Sequence, residues 1–460
     1  MRSEAAGSTS KRGSSALFRF SRAGRALLAA PRVATALLLA AAGLSCVPNA
    51  GCPNDFTPVS IPEFLFGLSQ TPADVMAIAN EVGAGHVRPT LSWRSIEPSV
   101  EPIGLTVDAV RSDPSQVSQY LASHDWTPFD SRLGEIAAAG LVPVPIVGHG
   151  YSGSLPLRGG VPAAPDVLGR EEYLARQYLF TRAVVERYDG DGVDDAPSGL
   201  RIPFWQTENE LNQAFFTAIF GWRHPAYFGA LASAWMDFEY LTRLLRTLRM
   251  AVKDADPTAL TTMNFHSDVH PMLNQYFRQP GWLSSIVLWR MEMDVVSFDA
   301  YPNYYRSTPP AGSVVGERAA QVATLSCGMP VMVMETGYPS APAEAGFDEA
   351  KQAAFLRDAF DSSVAAGVRG FFVFGARTSE THTATITPED LAALDQLAGW
   401  IETGDAPALL TYAFANPDYM QNHLVEVVQA VEGHWGLYRA DGSEKPSLEV
   451  MREIGRSLPD

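Results

Sequence analysis

Pro330-Val-Met-Val-Met334-Glu335-Thr-Gly-Tyr-Pro339 is a short apolar run that ends in a carboxylate and turn residues. Runs of this kind, bounded by turn residues, predict buried strands. Seven similar runs occur along the chain, and the longer amphipathic or alanine-rich segments between them predict helices. The other predicted strands cover residues 64–68, 86–91, 142–147, 202–207, 260–264, 294–299 and 370–374.

The alternation of short strands with longer helices predicts βα units and a parallel sheet. Eight such units predict an α/β fold, a closed (β/α)8 TIM barrel, which we place in one domain over residues 60–460. An open doubly wound sheet is the competing architecture, but no GxGxxG follows the first strand and no P-loop is present. Pro143 and Pro145 fit a central strand poorly because neither has an N–H group for the ladder.

The first 45 residues differ in composition from the rest of the chain. They carry seven basic side chains and one acidic one, and an apolar run from Val33 to Leu44 ends in small residues before Cys46. This pattern predicts a signal peptide over residues 1–45, followed by a short tether over residues 46–59. The sequence leaves open ordinary cleavage, lipidation of Cys46 as in a bacterial lipoprotein, or an uncleaved anchor. We therefore expect a secreted, periplasmic or cell-surface protein, with membrane contact only through a lipid anchor at Cys46.

The three cysteines, Cys46, Cys52 and Cys327, are too few for a disulfide scaffold. If Cys46 is lipidated, Cys52 and Cys327 are free to pair. No CxxC or HExxH pattern occurs, and His266 and His270 suggest no third ligand. We expect no metal and no cofactor.

Charge excludes one class of partner. The 460-residue chain is 46% hydrophobic, which is ample for a large core, and has a formal net charge of -17. A surface this acidic repels phosphate backbones, so we expect no nucleic-acid partner.

Two carboxylates stand where predicted strands four and seven end. Glu210 closes the stretch Gln206-Thr-Glu-Asn-Glu210, and Glu335 follows Met334 directly. The C-terminal ends of barrel strands form the active face of such folds. Because hydrolysis of a glycosidic bond needs two carboxyl groups flanking it, this pair predicts a carbohydrate-cleaving site.

These motifs resemble clan A of the glycoside hydrolases, which are retaining β-glycosidases on a (β/α)8 barrel. The resemblance implies a catalytic domain in which Glu210 is the acid/base and Glu335 is the nucleophile. It further implies that Asn209 binds the sugar's 2-hydroxyl, that Arg88 supports the nucleophile and that Tyr301 holds it.

The resemblance weakens at strand eight. The clan commonly places a Trp there to floor the sugar subsite, whereas this chain has Phe374, which we expect to serve as an apolar platform. Trp93 is a further candidate for stacking on a sugar, with a core position as its alternative. His149 and His266 lie just past strands three and five, as substrate contacts or as structural residues. Glu208 is left out, because strand alternation directs it away from its neighbours.

The charges near the two glutamates should shift their pKa values. The charge of ionised Glu335 should raise the pKa of Glu210, and Arg88 and Tyr301 should favour the ionised form of Glu335. We therefore expect a retaining hydrolase acting on β-linked glycosides or polysaccharides by double displacement. Two alternatives remain open at this point: a carbohydrate-binding barrel without catalysis, and a transglycosylase that uses the same two glutamates.

Overall fold

Parallel strands form one large sheet in the computed structural model. Nine of them, in the order β3-β2-β1-β11-β10-β9-β8-β7-β4, are joined by backbone hydrogen bonds, and β5 and β6 form a small antiparallel pair. All eight predicted strands are confirmed. The strands are β1 (Leu65–Leu68), β2 (His86–Val87), β3 (Val142–Pro143), β4 (Ile146–Val147), β5 (Leu157–Arg158), β6 (Val161–Pro162), β7 (Phe204–Thr207), β8 (Leu260–His266), β9 (Val295–Ala300), β10 (Val331–Thr336) and β11 (Gly370–Val373).

The structure describes most of the chain from residue 51 onward. The predicted signal segment, Cys46 and part of the 46–59 tether lie outside the described residues. Among the residues described, none of the helices combines the length and the apolarity needed to cross a bilayer. The described residues are 51–53, 56–69, 74–151, 153–213, 233–268, 270–276, 279–303, 308, 311–379 and 385–458.

The sheet closes on itself through residues 142–147, of which β3 and β4 are the two ends. Val144 and Ile146 donate their N–H groups to β2 and the residues after it, at 2.8 Å each, and Gln206 of β7 donates to the carbonyl of Pro145 at 2.9 Å. The two prolines are tolerated because their missing N–H groups fall on the β7 side, whereas the β2 side keeps its donors. The predicted (β/α)8 barrel is therefore confirmed.

Helices follow the strands as the sequence predicts, and insertions after β2 and β11 carry helices of their own. A helical layer packs on the outside of the barrel. The helices are α1 (Val75–Glu81), α2 (Trp93–Ile96), α3 (Val107–Ser112), α4 (Ser115–Ser123), α5 (Thr127–Ala138), α6 (Pro165–Leu168), α7 (Arg170–Arg187), α8 (Phe238–Ala255), α9 (Pro271–Tyr276), α10 (Trp282–Trp289), α11 (Gly312–Leu325), α12 (Glu349–Ala365), α13 (Pro388–Thr403), α14 (Ala406–Ala415), α15 (Leu424–Glu432) and α16 (Pro446–Ser457).

Three apolar clusters hold these elements together. The largest joins the outer faces of the strands to the helices. A smaller cluster, mostly strand residues such as Val144, Phe204 and Met332, fills the barrel interior. The third, which we call the satellite core, lies among α9, α13, α14 and α15 and contains Leu273, Leu394, Leu397, Ile401, Ala406, Leu409, Met420, Leu424 and Val427.

A disulfide joins Cys52 to Cys327, in the loop between α11 and β10. The open possibility that these two cysteines pair is thus realised, with a Cα–Cα distance of 5.5 Å. Loops that lead from helices into barrel strands lie at the N-terminal end of the barrel. The bond therefore fastens the segment before β1 to the end opposite the strand tips that carry Glu210 and Glu335.

Removal of this disulfide should destabilise the fold by about 2–4 kcal/mol, since the unfolded chain gains the freedom of a long loop. The variants Cys52→Ala, Cys327→Ala and the double variant should lose the same amount, because each removes the same bond. Chemical denaturation under oxidising conditions measures this. A double variant that loses the sum of the single effects would contradict the pairing.

Candidate active site

Glu210 and Glu335 both lie at the C-terminal end of the barrel, as the sequence predicts. Each is at most 9% exposed. On β10, Val333 packs toward the helices and Met332 and Met334 face the interior, so strict alternation would send Glu335 outward. The register with β9 shifts between Val333 and Glu335, and this irregularity re-aims the glutamate.

A strained turn after β7 places the second carboxylate. Glu208 and Glu210 both have left-handed backbone conformations, with φ of +66° and +49°. Such conformations cost about 1–3 kcal/mol in residues other than glycine and concentrate at functional sites. Glu208 is buried in this turn, where it accepts hydrogen bonds from the N–H groups of Gly150 at 2.9 Å and Asn209 at 3.1 Å. Its role is to hold the turn.

Arg88 connects three strands at the centre of the site. Its Nε donates to Gln206 Oε1 at 2.5 Å, its Nη2 donates to Asn209 Oδ1 at 2.7 Å, and its Nη1 pairs with Glu335 Oε1. The side chain is buried. Tyr301 donates its hydroxyl to the other oxygen of Glu335, Oε2, at 2.7 Å. The structure therefore brings Arg88 and Tyr301 to Glu335, one on each carboxylate oxygen.

A network of side-chain amides fixes the orientation of Asn209. Its Oδ1 accepts hydrogen bonds from Arg88, from Gln206 at 3.1 Å and from Asn264 at 2.8 Å. This leaves its Nδ2 to donate to Glu210 Oε2 at 3.3 Å. Gln206 also donates to Asn264 Oδ1 at 2.6 Å. Because Arg88 contacts Glu335 and Asn209 contacts both Arg88 and Glu210, Asn209 lies between the two glutamates in a continuous hydrogen-bonded chain.

His266 contacts the predicted acid/base directly. Its Nδ1 lies 3.0 Å from Glu210 Oε1, and both side chains are buried. Burial alone would lower the pKa of His266, but the charge of Glu210 and its hydrogen bond outweigh this and raise it. The contact with Glu210 therefore favours the charged form of His266.

The expected order of the two glutamate pKa values is reversed. Burial alone would raise the pKa of Glu210, but the charge and hydrogen bond of His266 hold it below its usual range. Burial raises the pKa of Glu335, and the charge of Glu210 adds to this, so that Arg88 and Tyr301 lower it only in part. The expectation was wrong because it left out His266 and the cost of burying Glu335.

Phe374 borders the site and packs against other aromatic rings. It meets the ring of Trp435 edge to face, with centroids 5.2 Å apart. Trp435 in turn stacks on Tyr301 at 4.8 Å with an interplanar angle of 6°. The next residue, Gly436, packs directly on the backbone after β11, because a Cβ at that position would lie 2.1 Å from the carbonyl carbon of Arg377. The long insertion after β11 therefore places a buried tryptophan between Phe374 and Tyr301.

Two other predicted site residues are placed differently. His149 follows β4, where its Nδ1 lies 3.3 Å from Ser154 Oγ and its ring packs on Tyr151. Trp93 is only 2% exposed and packs against Tyr173 and Phe180 in the helix layer. The expectation that Trp93 stacks on a sugar was wrong, because its ring belongs to the core.

Sequence reasoning missed several residues of the site. They are the buried polar residues of the strands and two residues of the last insertion. The strand residues leave a signal in the sequence, which is a polar residue inside an otherwise apolar strand. The two residues of the insertion leave no such local signal. The missed residues are Gln206, Asn264, Asp299, Trp435 and Glu432, whose pKa is raised to about 8 by burial and by the charge of Glu210.

No described residues around Glu210 and Glu335 form a group with metal-ligand geometry. Elsewhere in the described chain, carboxylate oxygens of Asp189, Asp191 and Asp195 lie within 4.8 Å of one another. These residues follow α7 and precede β7, which places them at the end of the barrel away from the glutamates. The absence of a metal or cofactor from the reaction stays a prediction.

Comparisons with known proteins agree with this architecture. No family model matches the chain. No curated protein matches it either. Among solved structures, the endo-1,4-beta-D-mannanase from Thermotoga petrophila RKU-1 matches with a TM-score of 0.51 and 13% identity, over 85% of this chain and 99% of that one. The two chains therefore share a fold. The fold that the resemblance to clan A implies agrees with this comparison.

Other similar structures are longer than this chain. A glucosidase from Croceicoccus marinus matches with a TM-score of 0.50 and 14% identity, over 87% of this chain and 69% of that one. The exo-beta-1,4-mannosidase Op5Man5 from Opitutaceae bacterium strain TAV5 matches with a TM-score of 0.49 and 15% identity, over 86% of this chain and 59% of that one.

Replacement of Arg88 by Gln should reduce the free energy of unfolding at pH 7 by about 3–5 kcal/mol, because Glu335 loses its buried cation. The loss should shrink as the pH falls, since Glu335 has a raised pKa and takes up a proton, and it should grow as the pH rises. Denaturant unfolding across pH measures both effects. The control Arg456→Gln removes an exposed pair with Glu449 and should cost at most about 1 kcal/mol. A loss of equal size at every pH would contradict this account of Arg88.

Proposed function

We propose that the protein is a retaining hydrolase of β-linked glycosides, with Glu335 as nucleophile and Glu210 as acid/base. The observation that carries this is the unequal support of two buried carboxyl groups at one barrel end. Glu335 is held on both oxygens by Arg88 and Tyr301, as a nucleophile requires, whereas Glu210 is partnered by an imidazole. The glycosidase fold of the similar structures supports the proposal.

The geometry supports a double displacement. Ionised Glu335 attacks the anomeric carbon while Glu210 gives a proton to the departing oxygen. The glycosyl ester neutralises Glu335, and Glu210 then removes a proton from the water that hydrolyses the ester. We assign to Asn209, whose amide is hydrogen-bonded to both Arg88 and Glu210, the binding of the sugar's 2-hydroxyl. Phe374 and His149 remain the proposed contacts to the rest of the carbohydrate.

We also propose export of the protein, through the signal segment and with or without a lipid at Cys46. The Cys52–Cys327 disulfide supports an oxidising compartment. Carbohydrate polymers outside the cell fit this location. β-Mannans belong in a substrate panel with β-glucans, galactans and xylans, because one similar structure is a mannanase.

Chemical rescue distinguishes the two glutamates. Glu335→Gly should abolish turnover, and azide should restore it with an α-glycosyl azide as product, because the anion attacks from the vacated side. Glu210→Ala should lower kcat by about 10²–10⁴-fold on poor leaving groups, and azide should yield the β-glycosyl azide. NMR of the products assigns each anomer.

The control for these variants is Glu453→Gln, an exposed glutamate of α16 that should keep wild-type turnover. Full activity of the Glu335→Gly variant without azide would refute the nucleophile. Glycan binding by the wild type without turnover on the whole panel would favour the non-catalytic alternative.

The variant Tyr301→Phe should shift the acidic limb of the pH profile of kcat/KM to higher pH. Loss of the hydroxyl donor raises the pKa of Glu335, which must be ionised to attack. A hydrogen bond to a charged group contributes about 1.5–3 kcal/mol, which corresponds to about one to two pH units. The phenylalanine ring retains the stack on Trp435, so the shift isolates the hydroxyl. An unmoved acidic limb would contradict the assignment of Tyr301.

A further inference from the structure

Lys445 is a buried cation behind the aromatic residues of the site. It directly precedes α16 and is 4% exposed. Its amino group donates to the carbonyl of Gly436 at 2.6 Å, to the hydroxyl of Ser340 at 2.8 Å and to the carbonyl of His434 at 3.2 Å. These acceptors are two carbonyls and a hydroxyl, so none of them compensates the charge of the lysine.

A cation at this position is unfavourable for stability on two counts. Burial of an ammonium group without an anion in contact is costly, and the N-terminal end of a helix carries a partial positive charge. Burial lowers the pKa of Lys445 to about 8, and the charge of Arg439 adds to this while that of Glu349 opposes it. Because an apolar side chain would avoid both costs, the function of Lys445 lies in the groups that it joins.

The lysine joins residues 434–436 to the segment that follows the proposed nucleophile. Ser340 lies five residues after Glu335, and its N–H and hydroxyl groups both donate to the carbonyl of His434, at 3.2 and 3.0 Å. Lys445 donates to the same carbonyl and to the same hydroxyl. The two backbone segments are therefore held together through one shared set of polar atoms.

Gln352 of α12 makes a second link between these segments and is completely buried. Its Nε2 donates to the carbonyl of Tyr338 at 2.9 Å and to that of Trp435 at 3.1 Å. The hydroxyl of Ser447 donates to its Oε1 at 2.8 Å, which fixes the orientation of the amide. The three linking side chains, which we call the clamp, are Ser340, Gln352 and Lys445.

Trp435 lies between the clamp and the nucleophile. Its ring is 3% exposed and lies over Gly337, where a Cβ would be 3.8 Å from the indole Cγ. The opposite contact is the stack on Tyr301, whose hydroxyl donates to Glu335 Oε2 at 2.7 Å. The clamp fixes the backbone of the tryptophan, and the stack fixes the tilt of the tyrosine ring and thus the position of its hydroxyl.

Only one of the groups that act on the charge of Glu335 is part of this stack. The charged and titratable groups around Glu335 are Arg88, Glu210, Asp299 and Tyr301. Trp435 stacks on the last of these. A displacement of Trp435 should therefore reach Glu335 through the Tyr301 hydroxyl.

We propose that the clamp holds Trp435 against Tyr301 and thereby sets the hydrogen bond that Tyr301 donates to Glu335. Ser340, Gln352 and Lys445 are positioning residues in this scheme, since each acts through the two stacked rings. The inference rests on the proposed function and adds to it residues outside the barrel that adjust the nucleophile.

The variant Lys445→Met tests the clamp by activity, because methionine fills the space of the lysine stem without its donors. We expect kcat/KM to fall by about 10- to 100-fold, since a misplacement of about 1 Å at a reacting group costs up to about 10²-fold. The acidic limb of the pH profile should move to higher pH, because a weaker hydrogen bond from Tyr301 lets the pKa of Glu335 rise. Ser340→Ala, a milder change, should move both quantities in the same direction.

A double variant separates positioning from a general loss of stability. Once Tyr301→Phe has removed the hydroxyl, the clamp has no hydrogen bond left to set. Lys445→Met combined with Tyr301→Phe should therefore have the acidic limb of Tyr301→Phe alone, because residues that act through one group are not additive. Trp435→Phe keeps a ring for the stack and should lose less activity than Trp435→Ala, which should behave like Lys445→Met.

The matched control is Lys351→Met. Lys351 is a half-buried lysine of α12, next to Gln352 in sequence, and its amino group donates to the carbonyl of Gly346. It lies near Asp348 and takes no part in the clamp. This variant should keep the kcat/KM and the pH profile of the wild type.

Tyrosine NMR tests the contact without using activity. Protein prepared with 13C-labelled tyrosine gives ring signals for each tyrosine, and Tyr301→Phe identifies those of Tyr301. An indole stacked on this ring, with centroids 4.8 Å apart, shifts the signals upfield. In Lys445→Met and Gln352→Met they should move downfield, toward their position in Trp435→Ala, and in Lys351→Met they should stay. The thermal unfolding midpoint reports whether each variant is folded.

The outcomes separate the clamp from the proposed reaction. Unmoved Tyr301 signals in folded Lys445→Met and Gln352→Met would refute the clamp even when the enzyme is active. Additive shifts of the acidic limb in the double variant would refute its action through Tyr301. If Lys445→Met does not fold, Gln352→Met and Ser340→Ala decide by the same two measurements. If the wild type cleaves no glycoside but the signals move as expected, the clamp stands and the proposed hydrolase activity fails.

Discussion

The buried guanidinium of Arg88 constrains the strand ends that carry the two glutamates. Arg88 is taken out of water, so each of its donors has to find an acceptor within the protein, and an uncompensated charge there would cost several kcal/mol. The acceptors come from Gln206, Asn209 and Glu335, which lie on or after two other strands. The strand ends are thereby held in one relative position, and the amide network around Asn209 follows from it.

The exclusion of water from the site also shifts the pKa values of its carboxyl groups. Glu210, Asp299 and Glu335 are three buried carboxyl groups, and Arg88 contacts Glu335 while His266 contacts Glu210. Burial and the charges of the two glutamates raise the pKa of Asp299 well above its usual range. The position of a carboxyl group in the network, rather than its residue type, therefore sets the direction in which its pKa moves.

The sequence was sufficient for the barrel and for much of the site. Apolar runs and turn residues are local signals, so the eight strands and the placement of Glu210 and Glu335 at their ends were predictable. The direction of a side chain depends on register, which is not local. The register shift before Glu335 could not be derived from alternation, whereas the inward position of Asp299 follows from it once Val295 is known to face the interior. Trp93 was misplaced because a tryptophan after a strand has the same local pattern whether it faces a sugar or a helix.

The satellite core is distinct in composition from the barrel core, yet its last helix, α15, runs through Glu432 directly into the segment that carries Trp435. Trp435 stacks directly on the ring of Tyr301, whose hydroxyl holds Glu335. Repacking of the satellite core should therefore reach the surroundings of Tyr301 through Trp435, while the hydrogen-bonded strands beneath keep their positions.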